Sequence, residues 1–195
     1  YGNALLVRGE IRRWSLDRLH RLPRWKATQE RRTLLRAQVE VDEVVLSVGV
    51  THLAVPRPIG LRQLRHLVDL VVDDPRPLVV MGDLNRAPQD VAPLAGWAGL
   101  EVVDHERTHP VVKPKLRIDH VLHSPELVVE RVEVRTPPMS DHRALLVDLV
   151  PAPAARLDAS AAVAAAARHL GAQNDFHHVD SREMWWVRDG AQRVW

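Results

Sequence analysis

The sequence predicts a layered α/β (α+β) sandwich, and three stretches carry that prediction. Residues 44–51 are a β-branched run, residues 78–81 are four apolar residues in a row, and apolar residues recur at 61, 64, 67, 68, 71 and 72. The first two read as strands, the second covered on both faces, and the third as an amphipathic helix of period 3.6. Strands dominate, and a sheet with an apolar face must bury it under another layer.

Taken in order, residues 3–8 form a short apolar run closed by Gly9, consistent with a strand. Residues 11–32 are arginine-rich and interrupted by Pro23, which suggests a strand followed by a loop, and 36–41 alternate weakly. The run at 44–51 leads into His52, Pro56 and Pro58 mark a loop, and the helix over 61–72 stops at Asp73-Asp74-Pro75. Residues 78–81 stop at Gly82, 91–100 predict a short helix closed near Gly99, and strands are expected at 117–123, 127–135 and 144–149. Composition changes at Pro151-Ala152-Pro153. The expected organisation is one domain over 1–150, a linker over 151–160 and an appendage over 161–195. In that appendage Ser160 caps an alanine-rich helix at 161–170, and Asp189-Gly190 between apolar arms predicts a hairpin.

With 46% hydrophobic and 27% charged residues, the composition is that of an ordinary globular protein. No apolar run approaches the roughly 18 residues of a membrane span. Cysteine is absent, which excludes disulfides, thiolate metal sites and thiol nucleophiles. It leaves the compartment open, cytoplasmic or not. The formal charge is only +2, carried almost wholly by arginine, with eight arginines between positions 12 and 36. Such a face suits a polyanion, but an arginine-rich solvated surface explains it equally.

Four short segments place chemistry at the ends of apolar runs: Thr51-His52-Leu53, Gly82-Asp83-Leu84-Asn85, Arg117-Ile118-Asp119-His120 and Ser140-Asp141-His142-Arg143. In an extended segment Asp83 and Asn85 share a face, one suited to a water or a hard cation, the other to a phosphoryl oxygen. An Asp/Asn turn is the plainer reading. Asp141 and His142, adjacent on a strand, point to opposite sides. Asp119 alternates away from His120, so it can accept from an imidazole while His120 packs. His105-Glu106-Arg107-Thr108-His109 matches His-Glu-x-x-His, yet Thr108 and Pro110 oppose the helix that a zinc site needs, which favours a polar loop. A glycine-rich phosphate loop followed by lysine and a Gly-x-Ser-x-Gly elbow are both absent.

In this order the segments, together with Tyr1-Gly2-Asn3-Ala4-Leu5-Leu6, resemble the endonuclease/exonuclease/phosphatase superfamily, the deoxyribonuclease I-like fold, over about residues 1–150. The resemblance implies a four-layer sandwich of two mainly antiparallel sheets flanked by helices. It implies a Mg²⁺- (or Mn²⁺-) dependent hydrolase of phosphodiesters or phosphomonoesters, with nucleic acid among the substrates to consider. By that similarity His142 is the catalytic histidine, Asp119 its partner, Asp83 the group that orients water, and Asn85 and His52 the phosphate contacts. Asp141 lies on the metal side, and Asn3 supplies a hydrogen bond at the site floor. The family's principal metal-binding glutamate and first strands lie upstream of the Tyr-Gly-Asn segment. The isolated chain is therefore expected to lack them and to be inactive or barely folded. Two other readings remain: a non-catalytic binding protein of the same fold, and an arginine-rich nucleic-acid module. Substrate and oligomeric state are left open.

Overall fold

The computed structural model describes residues 2–19, 31–41 and 44–153, and the backbone of three short strands after them. The chain divides into two units, Tyr1–Ala152 and Pro153–Trp195. In the first, β1 (Glu10–Arg18), β2 (Thr33–Val41) and β3 (Val44–His52) are consecutive antiparallel strands. Helix α1 (Arg57–Val71) then crosses over to β4 (Leu78–Asp83), which pairs parallel with β3. After α2 (Pro88–Trp97) come β5 (Glu101–Val102) and β6 (Asp119–His123), giving a six-stranded sheet in the order β1-β2-β3-β4-β6-β5. β7 (Leu127–Arg135) and β8 (Ala144–Pro151) form a separate antiparallel pair.

Alternation along β4 shows how the layers meet. Leu78 and Val80 face Leu64, Leu67, Val68 and Val71 of α1 and Val91 and Ala95 of α2, in one buried cluster with Leu34 and Leu122. Val79, between them, faces the other way, with Val121 towards Val129, Val132, Leu145, Val147 and Leu149 of β7 and β8. The layers are therefore helices, six-stranded sheet and two-stranded sheet. Each fully buried Leu or Val contributes about 1.5–3 kcal/mol relative to exposure. Among the described residues no helix covers the outer face of β7–β8. The same inter-sheet face stays open at its far edge, where Ile11, Trp14 and Leu16 of β1 are 45%, 67% and 56% exposed.

Two expectations change at element ends. α1 begins at Arg57, so Pro56 and Pro58 belong to the helix start rather than to a loop. A proline there forfeits no intrahelical hydrogen bond, because the first N–H groups have no partner anyway. Residues 3–8 are not a strand. They alternate as one, with Leu5 and Val7 packed on Ala37, Val39 and Val48 and Leu6 exposed, but they form no ladder with any described strand.

In the second unit β9 (Phe176–His177), β10 (Trp186–Asp189) and β11 (Gln192–Val194) form a small antiparallel sheet, with Asp189 opposite Gln192. The helix expected at 161–170 lies outside the described residues.

Candidate active site

Register brings the first three site residues together. His52 pairs with Asp83 across β3–β4, and Asp83 pairs with Asp119 across β4–β6. All three stand at strand termini on one end of the sheet. Gly82 makes this row feasible: its φ is +148°, and a Cβ there would lie 1.8 Å from the Thr51 carbonyl oxygen. Only glycine tolerates that approach. Glu10 and Glu40 pair with each other at the opposite end of β1–β2, so neither reaches this row.

His52 Nε2 is 3.4 Å from Asp83 Oδ2. Asp83 Oδ1 accepts from the Asn85 backbone N–H at 2.8 Å, an Asx turn that places Asn85 at φ +50°. The segment is thus not extended through Asn85, as had been expected, because the Asp83 side chain curls the chain into the left-handed region. Asn85 stays at the site nonetheless, its Nδ2 donating to the Leu53 carbonyl at 3.0 Å. Asn3 Nδ2 donates to the Thr33 carbonyl at 2.8 Å, which also accepts from the Thr51 hydroxyl at 2.9 Å, one residue from His52.

Asp141 and His142 are not on a strand; they precede β8 on a loop. The Ser140 hydroxyl accepts from the His142 N–H at 3.0 Å. Arg143 N–H donates to the Thr108 carbonyl and Val111 N–H to the Asp141 carbonyl, each at 2.7 Å. Sequence alternation cannot report such a clamp, which joins segments about 30 residues apart. His142 Nδ1 donates to Asp119, 2.9 Å from Oδ2 and 3.1 Å from Oδ1. Its Nε2 lies 3.9 Å from Asp83 Oδ2, too long for a direct hydrogen bond but short enough for one water to contact both.

The electrostatics follow from this packing. Burial alone lowers the His142 pKa, but the hydrogen bond and charge of Asp119 outweigh it, aided by Asp83 and Asp141, and hold it above the ordinary value. Burial raises the Asp83 pKa, and the neighbouring Asp119 charge adds to this against the Asn85 N–H and the two histidines. Two carboxylates at paired positions, one disfavouring its own charge, suit a hard divalent cation that would neutralise them.

His105 and His109 do not form the zinc arrangement, because their segment is not helical. His105 is buried, donates through Nδ1 to the Glu106 carbonyl at 2.6 Å and lies edge-on to His120. His120 packs, as its alternation suggests, with Nε2 2.8 Å from the Arg86 carbonyl. Burial lowers the pKa of both, favouring neutral rings. The Arg86 guanidinium holds the Ala54 and Val55 carbonyls behind the site, a buried role with no periodic signal in the sequence. His109 lies against His142, ring centroids 4.3 Å apart.

Metal-capable side chains cluster in two groups among the described residues: Asp83, Asp119 and His142, and His109, Asp141 and His142. The first supplies oxygen donors, as Mg²⁺ requires. The second draws on two imidazoles and the exposed Asp141 carboxylate, a set with less oxygen than Mg²⁺ prefers.

Residues 1–142 match the model of the Endonuclease/Exonuclease/phosphatase family. No curated protein matches the chain. Among solved structures, it resembles an endonuclease/exonuclease/phosphatase from Beutenbergia cavernae at 23% identity and TM-score 0.59, covering 75% of this chain and 47% of that one. A mannosyl-6-phosphatase of Bacteroides thetaiotaomicron is similar at 16% identity and TM-score 0.59, covering 72% and 67%. A D. rerio TDP2 complexed with a single-strand DNA product is similar at 19% identity and TM-score 0.57, covering 72% and 68%. At these identities the likeness establishes the fold. The chain spans about half the length of the first of these structures and about two thirds of the other two.

Proposed function

The chain belongs to the endonuclease/exonuclease/phosphatase family, and from that premise we propose that the protein is a Mg²⁺-dependent hydrolase of phosphodiester or phosphomonoester bonds. The observation that carries this reading is His142, bound to Asp119 through Nδ1 at 2.9 Å and facing Asp83 Oδ2 through Nε2 at 3.9 Å. A histidine whose inner nitrogen donates to a carboxylate has its tautomer set and its outer nitrogen available for proton transfer.

Each side chain then has a task. Asp83 orients the attacking water from one side of the gap, and His142 exchanges a proton with the reacting oxygen from the other. His52 and the second amide N–H of Asn85 donate to the non-bridging phosphoryl oxygens, where charge grows in the transition state. A Mg²⁺ held by the acidic groups, Asp141 among them, would polarise the phosphoryl oxygen. Asp119 keeps His142 protonated on Nδ1 throughout.

The substrate class narrows no further. Two arginines of the basic N-terminal segment are committed to acids, Arg12 to Glu40 and Arg36 to Asp17 and Asp74. That weakens the case for a nucleic-acid face there. The reading concerns the whole protein.

The test is hydrolysis of bis(p-nitrophenyl) phosphate and p-nitrophenyl phosphate, with Mg²⁺ and with EDTA, by this chain and by any longer form containing it. Mg²⁺-dependent turnover that His142→Ala reduces about 1,000-fold supports the reading. Turnover insensitive to both EDTA and His142→Ala would sink it, as would no turnover in any form.

A further inference from the structure

His109 entered the sequence reading as part of a zinc pattern that the fold does not build, and the chemistry above leaves it without a task. Its position gives it one. The ring lies on the His142 ring, centroids 4.3 Å apart and planes tilted by 43°. Its Nδ1 is buried with no hydrogen-bond partner, so that nitrogen does not anchor it, and what meets His142 is the ring.

His142 needs such a face. It sits on a loop, and its one polar anchor is the Asp119 carboxylate at Nδ1. A single hydrogen-bonded edge leaves an imidazole free to pivot about that bond, and the pivot carries Nε2 away from Asp83. A flat wall against the ring removes this freedom, because one direction of swing meets van der Waals contact at once.

The wall is itself fixed. Residues 108–116 close on themselves, with Leu116 N–H donating to the His109 carbonyl at 2.7 Å and His109 N–H to the Leu116 carbonyl at 3.1 Å. The same segment grips the His142 loop through Thr108 and Val111, at 2.7 Å each. One element therefore holds both the backbone of His142 and its ring.

We propose that His109 is a positioning residue: stacked on His142, it keeps Nε2 aimed at the gap in front of Asp83. This rests on the phosphohydrolase reading for its consequence in catalysis, but not for the restraint itself. Only ring shape is required, so phenylalanine should replace histidine here, whereas a hydrogen-bonding or metal-ligating role needs a nitrogen.

The experiment compares His109→Ala and His109→Phe by two readouts. The first is long-range ¹H–¹⁵N NMR of the His142 ring in the folded protein, which needs no substrate. His109→Ala should broaden the ring signals or mix the tautomers, and His109→Phe should keep the wild-type pattern. The second is hydrolysis of bis(p-nitrophenyl) phosphate with Mg²⁺. There kcat should fall about 10- to 100-fold in His109→Ala with KM little changed, and stay within about threefold in His109→Phe. An unaltered His142 ring in His109→Ala overturns the proposal, as does a His109→Phe protein as impaired as His109→Ala. A rise in KM alone also overturns it, since it marks a substrate contact. If His109→Ala does not fold, His109→Phe decides by the same two readouts. If no form of the protein hydrolyses a phosphoester, the functional reading fails while the NMR readout still judges the stack.

Discussion

His52, Asp83 and Asp119 stand at paired positions of three neighbouring strands, while Asp141 and His142 hang on a loop gripped by residues 108–111. The two halves of the site are held by different physics. In the strand half, ladder spacing fixes the distances between the backbone positions from which the side chains project. In the loop half, a few hydrogen bonds and one ring contact do the fixing, so parts can fail singly. Backbone errors in the first half should therefore appear as loss of the fold, whereas side-chain changes in either half should appear as loss of rate from an intact fold.

The severest break is Gly82→Ala. A methyl group there meets the Thr51 carbonyl oxygen at 1.8 Å, with φ already at +148°. Strand separation would have to yield, with a destabilisation of about 4 kcal/mol or more expected by denaturant titration. A normal unfolding midpoint would show that the row is less rigid than described.

Asp119→Asn tests the joint between the halves, since a strand residue holds a loop residue. The amide removes the charge that raises the His142 pKa, so an NMR titration should place that pKa below the wild-type value. Turnover should fall about 100-fold in a folded protein. The sign of the linkage follows. A raised folded pKa stabilises fully below the ordinary histidine value of about 6.5 and is lost as pH climbs through the raised value. The Tm gap between wild type and Asp119→Asn should thus be widest below about pH 6.5 and narrow as pH rises.

The smallest effect on stability runs the other way. Burial makes the charge on Asp83 costly, so Asp83→Asn should raise Tm at neutral pH, by roughly 1–3 °C, while abolishing turnover. A lower Tm would mean that Asp83 contributes more through the Asn85 turn than its burial costs.

The same contrast explains what could be read in advance. Residues 44–52, 78–83 and 127–135 announce themselves because apolar runs are properties of the segment alone. The strand half of the site was therefore legible, His52, Asp83 and Asp119 all at strand ends. Residues 3–8 carry the right alternation and still form no strand, because a strand needs a partner and alternation does not supply one. Asn85 turned left-handed because the side chain two residues earlier took its N–H. Placement of His142 on a loop, the buried Arg86 and the stacked His109 all depend on contacts some 30 residues away. No local pattern encodes them.

That separation also sets a timetable. The last member of the site, His142, follows Asp83 by 59 positions in the sequence. At roughly 5–20 residues per second of synthesis, the gap lasts about 3–12 s. During that interval β3 and β4 can already pair and present His52 and Asp83, with His142 not yet made. The candidate site is thus incomplete in a growing chain until the last strand of the first unit is under way, and termination before residue 142 leaves its strand half alone.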